Sequence, residues 1–153
     1  MLNHNETTKY LGRKLGFDSY HALELHNRIS TAWRQFNALR DELTNKRFPL
    51  SSRLRLFDST ITPTILYACV IWTTTKDLTT KILRTQRRML RLIVNTPRRR
   101  TTTSTTTTTN HDDVPQVEPW QEYIKRATTI AERTLSNQHV EIWDVTYLRR
   151  KWR

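Results

Sequence analysis

Ile65-Leu66-Tyr67-Ala68-Cys69-Val70-Ile71-Trp72 is an unbroken apolar block, and it runs almost directly into a basic stretch, Lys76 to Asn95. The reading of that join decides the fold. The block is the longest apolar run in the chain and needs a core around it. In the stretch that follows, Leu78, Ile82, Met89, Leu92 and Ile93 share one helical face. Lys81, Arg84, Arg87, Arg88 and Arg91 share the opposite arc, about 120° wide at ~100° per residue. No acidic residue stands between Leu78 and Arg100, and Arg98-Arg99-Arg100 follows the helix. The pattern predicts a basic amphipathic helix docked on an apolar core, ended by Pro97.

Upstream of the block, Thr62-Pro63 reads as a helix N-cap with proline at the first helical position. The helix it opens should run to about Trp72, apolar around nearly its whole circumference, and form the most buried element. Phe48-Pro49 breaks the chain before that. Ser51 or Ser52 can cap a helix that buries Leu54, Phe57 and Ile61. Further upstream, Ala22, Leu25, Ile29, Ala32, Phe36, Leu39 and Leu43 make a single stripe, widened by Trp33. They predict one helix about 40 Å long at ~1.5 Å per residue, capped by Asp18 or Ser19. Glu24–Arg28 and Glu42–Lys46 stand four apart and are expected on its wet side. Lys9 to Phe17, punctuated by Gly12 and Gly16, reads as a short extended or strand-like lead-in.

Downstream, Thr74-Thr75-Lys76-Asp77 resembles a capping box for the basic helix. Thr101 to Asn110 is threonine and serine closed by asparagine, with no apolar face, and reads as a flexible linker. Glu118-Pro119 opens another helix, with Trp120, Ile124, Ala127 and Ala131 on one side and an end near Asn137. Val140 to Arg153 reads as a last helix containing Ile142, Trp143, Leu148 and Trp152. The chain stops within Arg149-Arg-Lys-Trp-Arg153, without cap or breaker, as a truncated segment would. The organisation expected is a lead-in at 1–17, a helical domain at 18–97, a basic and Thr-rich linker at 98–117 and a helical segment at 118–153. The fold class is all-α, a bundle of about five or six helices.

Composition narrows the function. The 153 residues carry a net charge of +12, which points to a polyanionic partner. Two glycines are too few for a glycine-rich phosphate loop and favour helix over β structure. The single cysteine, Cys69, excludes an internal disulfide, and its apolar setting predicts a buried thiol in a reducing compartment. The N-terminus is polar and unlike a secretory signal. The longest apolar run falls well short of the roughly 20 residues a membrane span needs. An intracellular protein, nuclear or cytoplasmic, is therefore expected.

Several look-alikes carry no chemistry. His21 and His26 are five apart and do not share a helix face, so no metal site is read there. Asp112-Asp113 has the form of a polymerase metal-binding pair, but such a pair needs a rigid, apolar-flanked element, and this one borders the threonine tract. Trp33, Trp72, Trp120 and Trp143 fall at core spacing, which favours packing over base stacking. The basic face, by contrast, is single-signed, whereas a merely solvated face mixes signs. Nucleic-acid contact is its favoured reading, over a plain solvated face or a membrane surface. Arg98 to Arg100 can also be read as a localisation signal.

Three stretches in order carry a resemblance. Lys9-Tyr-Leu-Gly12 precedes the long helix with Arg28-Ile-Ser-Thr-Ala32; Pro63 to Trp72 follows; then comes Leu83-Arg-Thr-Gln-Arg-Arg-Met-Leu-Arg-Leu-Ile93. Together they resemble the thumb and post-thumb part of reverse transcriptases encoded by non-LTR, LINE-type retrotransposons. The resemblance covers Lys9 to Pro97, and more loosely Glu118 to Arg153. It implies that Tyr10, Leu11 and Gly12 hold a primer-grip-like position and that the helices after them hold a template–primer backbone. The family commonly has glycine and glutamate where this chain has Ala68 and Ile71. The palm carboxylates and their Mg2+ would belong to a part that this sequence does not contain. No catalytic residue and no cofactor are therefore assigned to the chain. The expected partner is RNA, DNA or their hybrid, bound through Lys81, Arg84, Arg87, Arg88, Arg91, Arg98, Arg99 and Arg100. No small-molecule substrate and no membrane are implied. The alternatives are a stand-alone helical protein-interaction adaptor and a decayed element without function.

Overall fold

The computed structural model describes residues 8–10, 13–15, 20–73, 75–101 and 116–152. The described residues form an all-α bundle of six helices: α1 (Tyr20–Ala38), α2 (Arg40–Thr44), α3 (Leu50–Ile65), α4 (Lys76–Val94), α5 (Trp120–Asn137) and α6 (Trp143–Lys151). Two short antiparallel ladders accompany it. Strands β1 (Thr8–Tyr10) and β2 (Arg13–Leu15) pair with each other, as do β3 (Arg100–Thr101) and β4 (Gln116–Val117). The extended lead-in is thus a hairpin, and the two ends of the 98–117 segment are bonded to one another.

The basic helix α4 is the centre of the bundle and contacts all five other helices. Leu78, Ile82, Thr85, Gln86, Met89, Leu90 and Ile93 form its buried face. Leu92, expected there, is 38% exposed, and Leu90 takes its place. The N-cap is Thr75, whose hydroxyl accepts from the Leu78 amide at 3.2 Å. The residue three beyond this cap is Leu78, so the reciprocal bond of a capping box has no partner. The helix stops at Asn95, in the left-handed conformation, two residues before Pro97.

The expected core helix from Thr62 to Trp72 does not form. Helix α3 instead runs through Thr62-Pro63 to Ile65, and Ser51 and Ser52 lie inside it behind Pro49. Proline interrupts a helix by removing one N–H and crowding the carbonyl four residues back. Here that carbonyl belongs to Ser59, an exposed residue that water can reach, and only two helical residues follow. Thr62 is buried, and its hydroxyl accepts from Trp143 Nε1 at 2.8 Å. The chain then reverses at Ala68, which is left-handed (φ 53°, ψ 25°), and makes a 3-10 turn over Cys69–Ile71. This reversal sorts the apolar block. Leu66, Cys69 and Trp72 turn inward, while Tyr67, Val70 and Ile71 stay about half exposed.

The long first helix is also divided. α1 ends at Ala38, Leu39 leaves the helical conformation, and α2 follows from Arg40. The division lets Leu43 bury completely, while Ala22, at the other end of the expected stripe, is exposed. Glu24 and Arg28 are not on a wet face. Both are buried and paired at 2.7 Å, and the Arg28 guanidinium lies 4.4 Å from the centroid of the Tyr67 ring. Lys46 lies beyond the end of α2 at Thr44.

Four polar side chains lock the bundle. Buried Arg53 donates to Ile93 O at 2.6 Å, Leu43 O at 3.4 Å and Phe48 O at 3.2 Å. The first two are carbonyls at the C-terminal ends of α4 and α2, which have no helical donor and carry the negative end of the dipole. Gln86 of α4 accepts from the first amide of α6, Trp143 N, at 3.0 Å and donates to Glu141 O at 3.3 Å. Trp143 stacks on Phe57 at 5.5 Å. Tyr147 and Lys151 donate to Trp72 O at 3.2 and 2.9 Å, which fastens α6 over the sorted apolar block.

Two substitutions test this account. Arg53→Ala should destabilise the chain by about 3 kcal/mol in urea unfolding, because carbonyls lose a charged donor in a buried place; Arg53→Lys, lacking the fork, should recover only part. Ala68→Gly should stabilise by about 1 kcal/mol, since a β-carbon is costly in the left-handed region.

Candidate nucleic-acid interface

Helix α4 presents its cations because its opposite face is fixed in the core. Packing then divides those cations into two sets. Lys81 and Arg84 point to solvent and have no carboxylate partner among the described residues. Arg88 is exposed, with its guanidinium 5.3 Å from the Trp33 ring centroid on α1. Arg87 and Arg91 instead face α5. Arg87 pairs with Glu132 at 2.7 Å, and Arg91 donates to Thr128 Oγ1 at 3.0 Å. The acid-free run in the sequence thus acquires an acid from a helix 45 residues away. Burial lowers the Arg91 pKa from its ordinary value, and the nearby charges of Arg88 and Arg87 act in the same direction. Arg91 stays charged, half-buried, with a neutral hydroxyl for a partner.

The three arginines after α4 are held differently. Arg98 donates to Glu118 O and lies over the rings of Trp120 (5.7 Å) and Tyr123 (6.0 Å). The Arg99 amide donates to Glu118 Oε2 at 3.1 Å, and Arg100 pairs with Val117 in the second ladder. All three side chains reach solvent. Tyr10 lies in β1 opposite Arg13, and the hairpin meets the bundle where β2 packs on α1. Leu11 and Gly12 lie outside the described residues, as do the Asp18 or Ser19 cap and Asp112-Asp113.

The structure adds a cleft that the sequence reading did not contain. It has a volume of about 430 Å³ between α2, the last turns of α4 and the start of α5. Arg40, Arg88 and Arg91 supply its charge; Trp120 and Tyr123 supply its aromatic wall. Trp120 was expected in the core, and it is 61% exposed. Its spacing does match the buried stripe of Ala127, Ala131 and Leu135, but it stands in the first turn of α5, on the wall of the cleft. Trp152 is 78% exposed, and Leu148 is also exposed. Arg40 gave no signal because α2 reads in sequence as the tail of α1.

One ion pair anchors the edge of this cleft. Glu118 accepts both donors of a fork from Arg126, at 2.8 and 2.6 Å, together with the Arg99 amide. Arg126 also donates to Pro97 O at 2.9 Å. The Arg126 fork holds the Glu118 carboxyl at about 2, below its ordinary 4.5. The junction from α4 into α5 is thereby tied at both sides of the 102–115 segment.

Among the described residues, no group of three or more His, Cys, Asp and Glu is placed to hold a metal ion. No helix among them is long and apolar enough to cross a membrane. Cys69 is buried, and burial raises its thiol pKa.

No family model matches the chain, and no solved structure matches it. It is similar to an uncharacterized transposon-derived protein of Caenorhabditis elegans, at 32% identity over 88 residues. The matched stretch takes in 56% of this chain and 30% of that protein, so the chain spans about a third of its relative's length. The similarity is to a protein of transposable-element origin.

The Glu118 pair makes the pH dependence specific. A carboxyl with a depressed folded pKa adds stability above its unfolded value near 4.5, and that stability is lost as pH falls towards about 2. Wild type should therefore lose more stability than Glu118→Gln between those limits, and the two should run parallel above pH 5, in thermal melts followed by circular dichroism.

Proposed function

We propose that this chain is a thumb-like segment of a transposon-encoded reverse transcriptase and holds a nucleic-acid backbone without sequence preference. The observation that carries the reading is the solvent-facing set Lys81, Arg84 and Arg88 on a helix whose other face is rigidly buried. A charged surface on a rigid element offers cations at fixed spacing, which a repeating phosphate chain requires. Arg91, half-buried and without a carboxylate, would gain an anionic partner.

Two further facts support the reading. The similar nematode protein is transposon-derived. Ala68 occupies a left-handed turn, and it is the position where the resembled family commonly has glycine, the residue that such a turn favours. The reading assigns no bond-making chemistry to this chain; reverse transcription would belong to the palm of a longer protein.

Packing reduces the number of available cations. With Arg87 committed to Glu132 and Arg91 half-buried, the exposed cations along this surface of α2 and α4 are Arg40, Lys81, Arg84 and Arg88. About four phosphate contacts at ~0.9 counterions each give a log–log salt slope near −3.6 on duplex DNA. Charge reversal of Arg84 and Arg88 together should abolish binding at low salt while leaving the melt unchanged. A flat salt dependence, or full binding by the reversed variant, would refute the proposal.

A protein-interaction reading has an observation of its own, the half-exposed Tyr67, Val70 and Ile71 on the outer side of the apolar block. Substituting Val70 and Ile71 by aspartate separates the two functions: it spares nucleic-acid binding and removes any protein partner seated there.

A further inference from the structure

We infer that the cleft between α2, α4 and α5 takes an unpaired nucleotide, so that the chain grips a single strand as well as a backbone. The inference rests on the nucleic-acid reading above and goes beyond it by naming the form of the ligand and the residue that selects it.

Trp120 stands in the first turn of α5 with its ring largely open to water. A tryptophan loses more than any other side chain by standing in water, and this one is 61% exposed although one aromatic neighbour, Tyr123, and a buried stripe lie on the same helix. It lines a cleft whose other walls are cationic, with Arg40 from α2 and Arg88 and Arg91 from α4. Its ring is tilted at 40° to Tyr123, 5.3 Å away, and Arg98 lies over it. Arg98 is in turn fixed by the Glu118 carbonyl, and Glu118 by Arg126. The indole is therefore held in place by a chain of bonded groups.

Two kinds of surface meet here. Cations suit phosphate oxygens, and an exposed indole suits the face of a base. In a duplex both faces of every base are already stacked, and extruding one costs a few kcal/mol. An unpaired strand offers base faces freely. The volume of about 430 Å³ lies in the range of roughly 300–1,000 Å³ typical of small-ligand sites and suits one nucleotide, not a double helix. The backbone would run from Arg40 across to Arg88 and Arg91, with one base against Trp120. Lys81 and Arg84, on earlier turns of α4, would meet phosphates further along the strand.

The test uses the full chain, with a labelled thymine-only single strand and a blunt duplex of equal length, both followed by fluorescence anisotropy. Trp120→Ala should weaken single-strand binding about tenfold, the order contributed by one base–aromatic stack, and leave duplex binding unchanged. Trp120→Phe should retain most of the affinity, and both variants should melt like wild type. Equal loss on both probes, or no loss on either, overturns the inference. If duplex binding still disappears on reversing Arg84 and Arg88, the backbone reading survives that failure. If neither probe binds wild type at low salt, both readings fall.

Discussion

The buried Arg53 guanidinium is the interaction on which the placement of α4 depends. It is shielded from water, has no carboxylate partner among the described residues, and is satisfied by carbonyls at the C-terminal ends of two helices. Helix ends leave four carbonyls without donors, and a buried end must find them elsewhere. One planar fork of donors meets that need for α2 and α4 together and gains from both dipoles. α4 can then reach all five other helices. Gln86 repeats the principle at the opposite polarity by accepting from the amide that opens α6.

The same placement explains the surface. Because one face of α4 is fixed in the core, the opposite face must carry its cations outward. α5 covers one edge of that face and removes Arg87 by pairing it with Glu132. What remains open is narrower than the helical arc and continues into the cleft beside Trp120. The charge of the site therefore comes from two helices, α2 and α4, and its aromatic wall from Trp120 and Tyr123 at the start of α5. A strand lying there would meet phosphate partners first and a base partner at the end.

Periodicity captured what depends on neighbours along the chain. Leu54, Phe57 and Ile61 bury as their spacing requires, Asn137 ends α5, and the cations of α4 share one arc. Errors cluster where a distant partner decides. Thr62-Pro63 has the form of a helix start, yet Trp143, 81 residues on, binds the threonine hydroxyl inside α3. Glu24 and Arg28 have the form of a surface pair, yet both are buried and the Tyr67 ring lies against Arg28. The apolar block has the form of a core helix, yet left-handed Ala68 turns half of it out. Trp120 fits the buried stripe by angle, yet it stands in the first turn of α5 and lines the open cleft between α2 and α4.

The sequence by itself determined the all-helical class, the position of most helices, the existence of a core and the single-signed face of α4. These follow from local spacing and from a composition poor in glycine and rich in lysine and arginine. Only the tertiary structure decided which element is central, which arginines remain available and where an aromatic ring stands beside them. The reason is physical. A helix's faces are set by an angle of about 100° per residue, which any stretch carries within itself. Burial, pairing and exposure are set by what another part of the chain brings to that face.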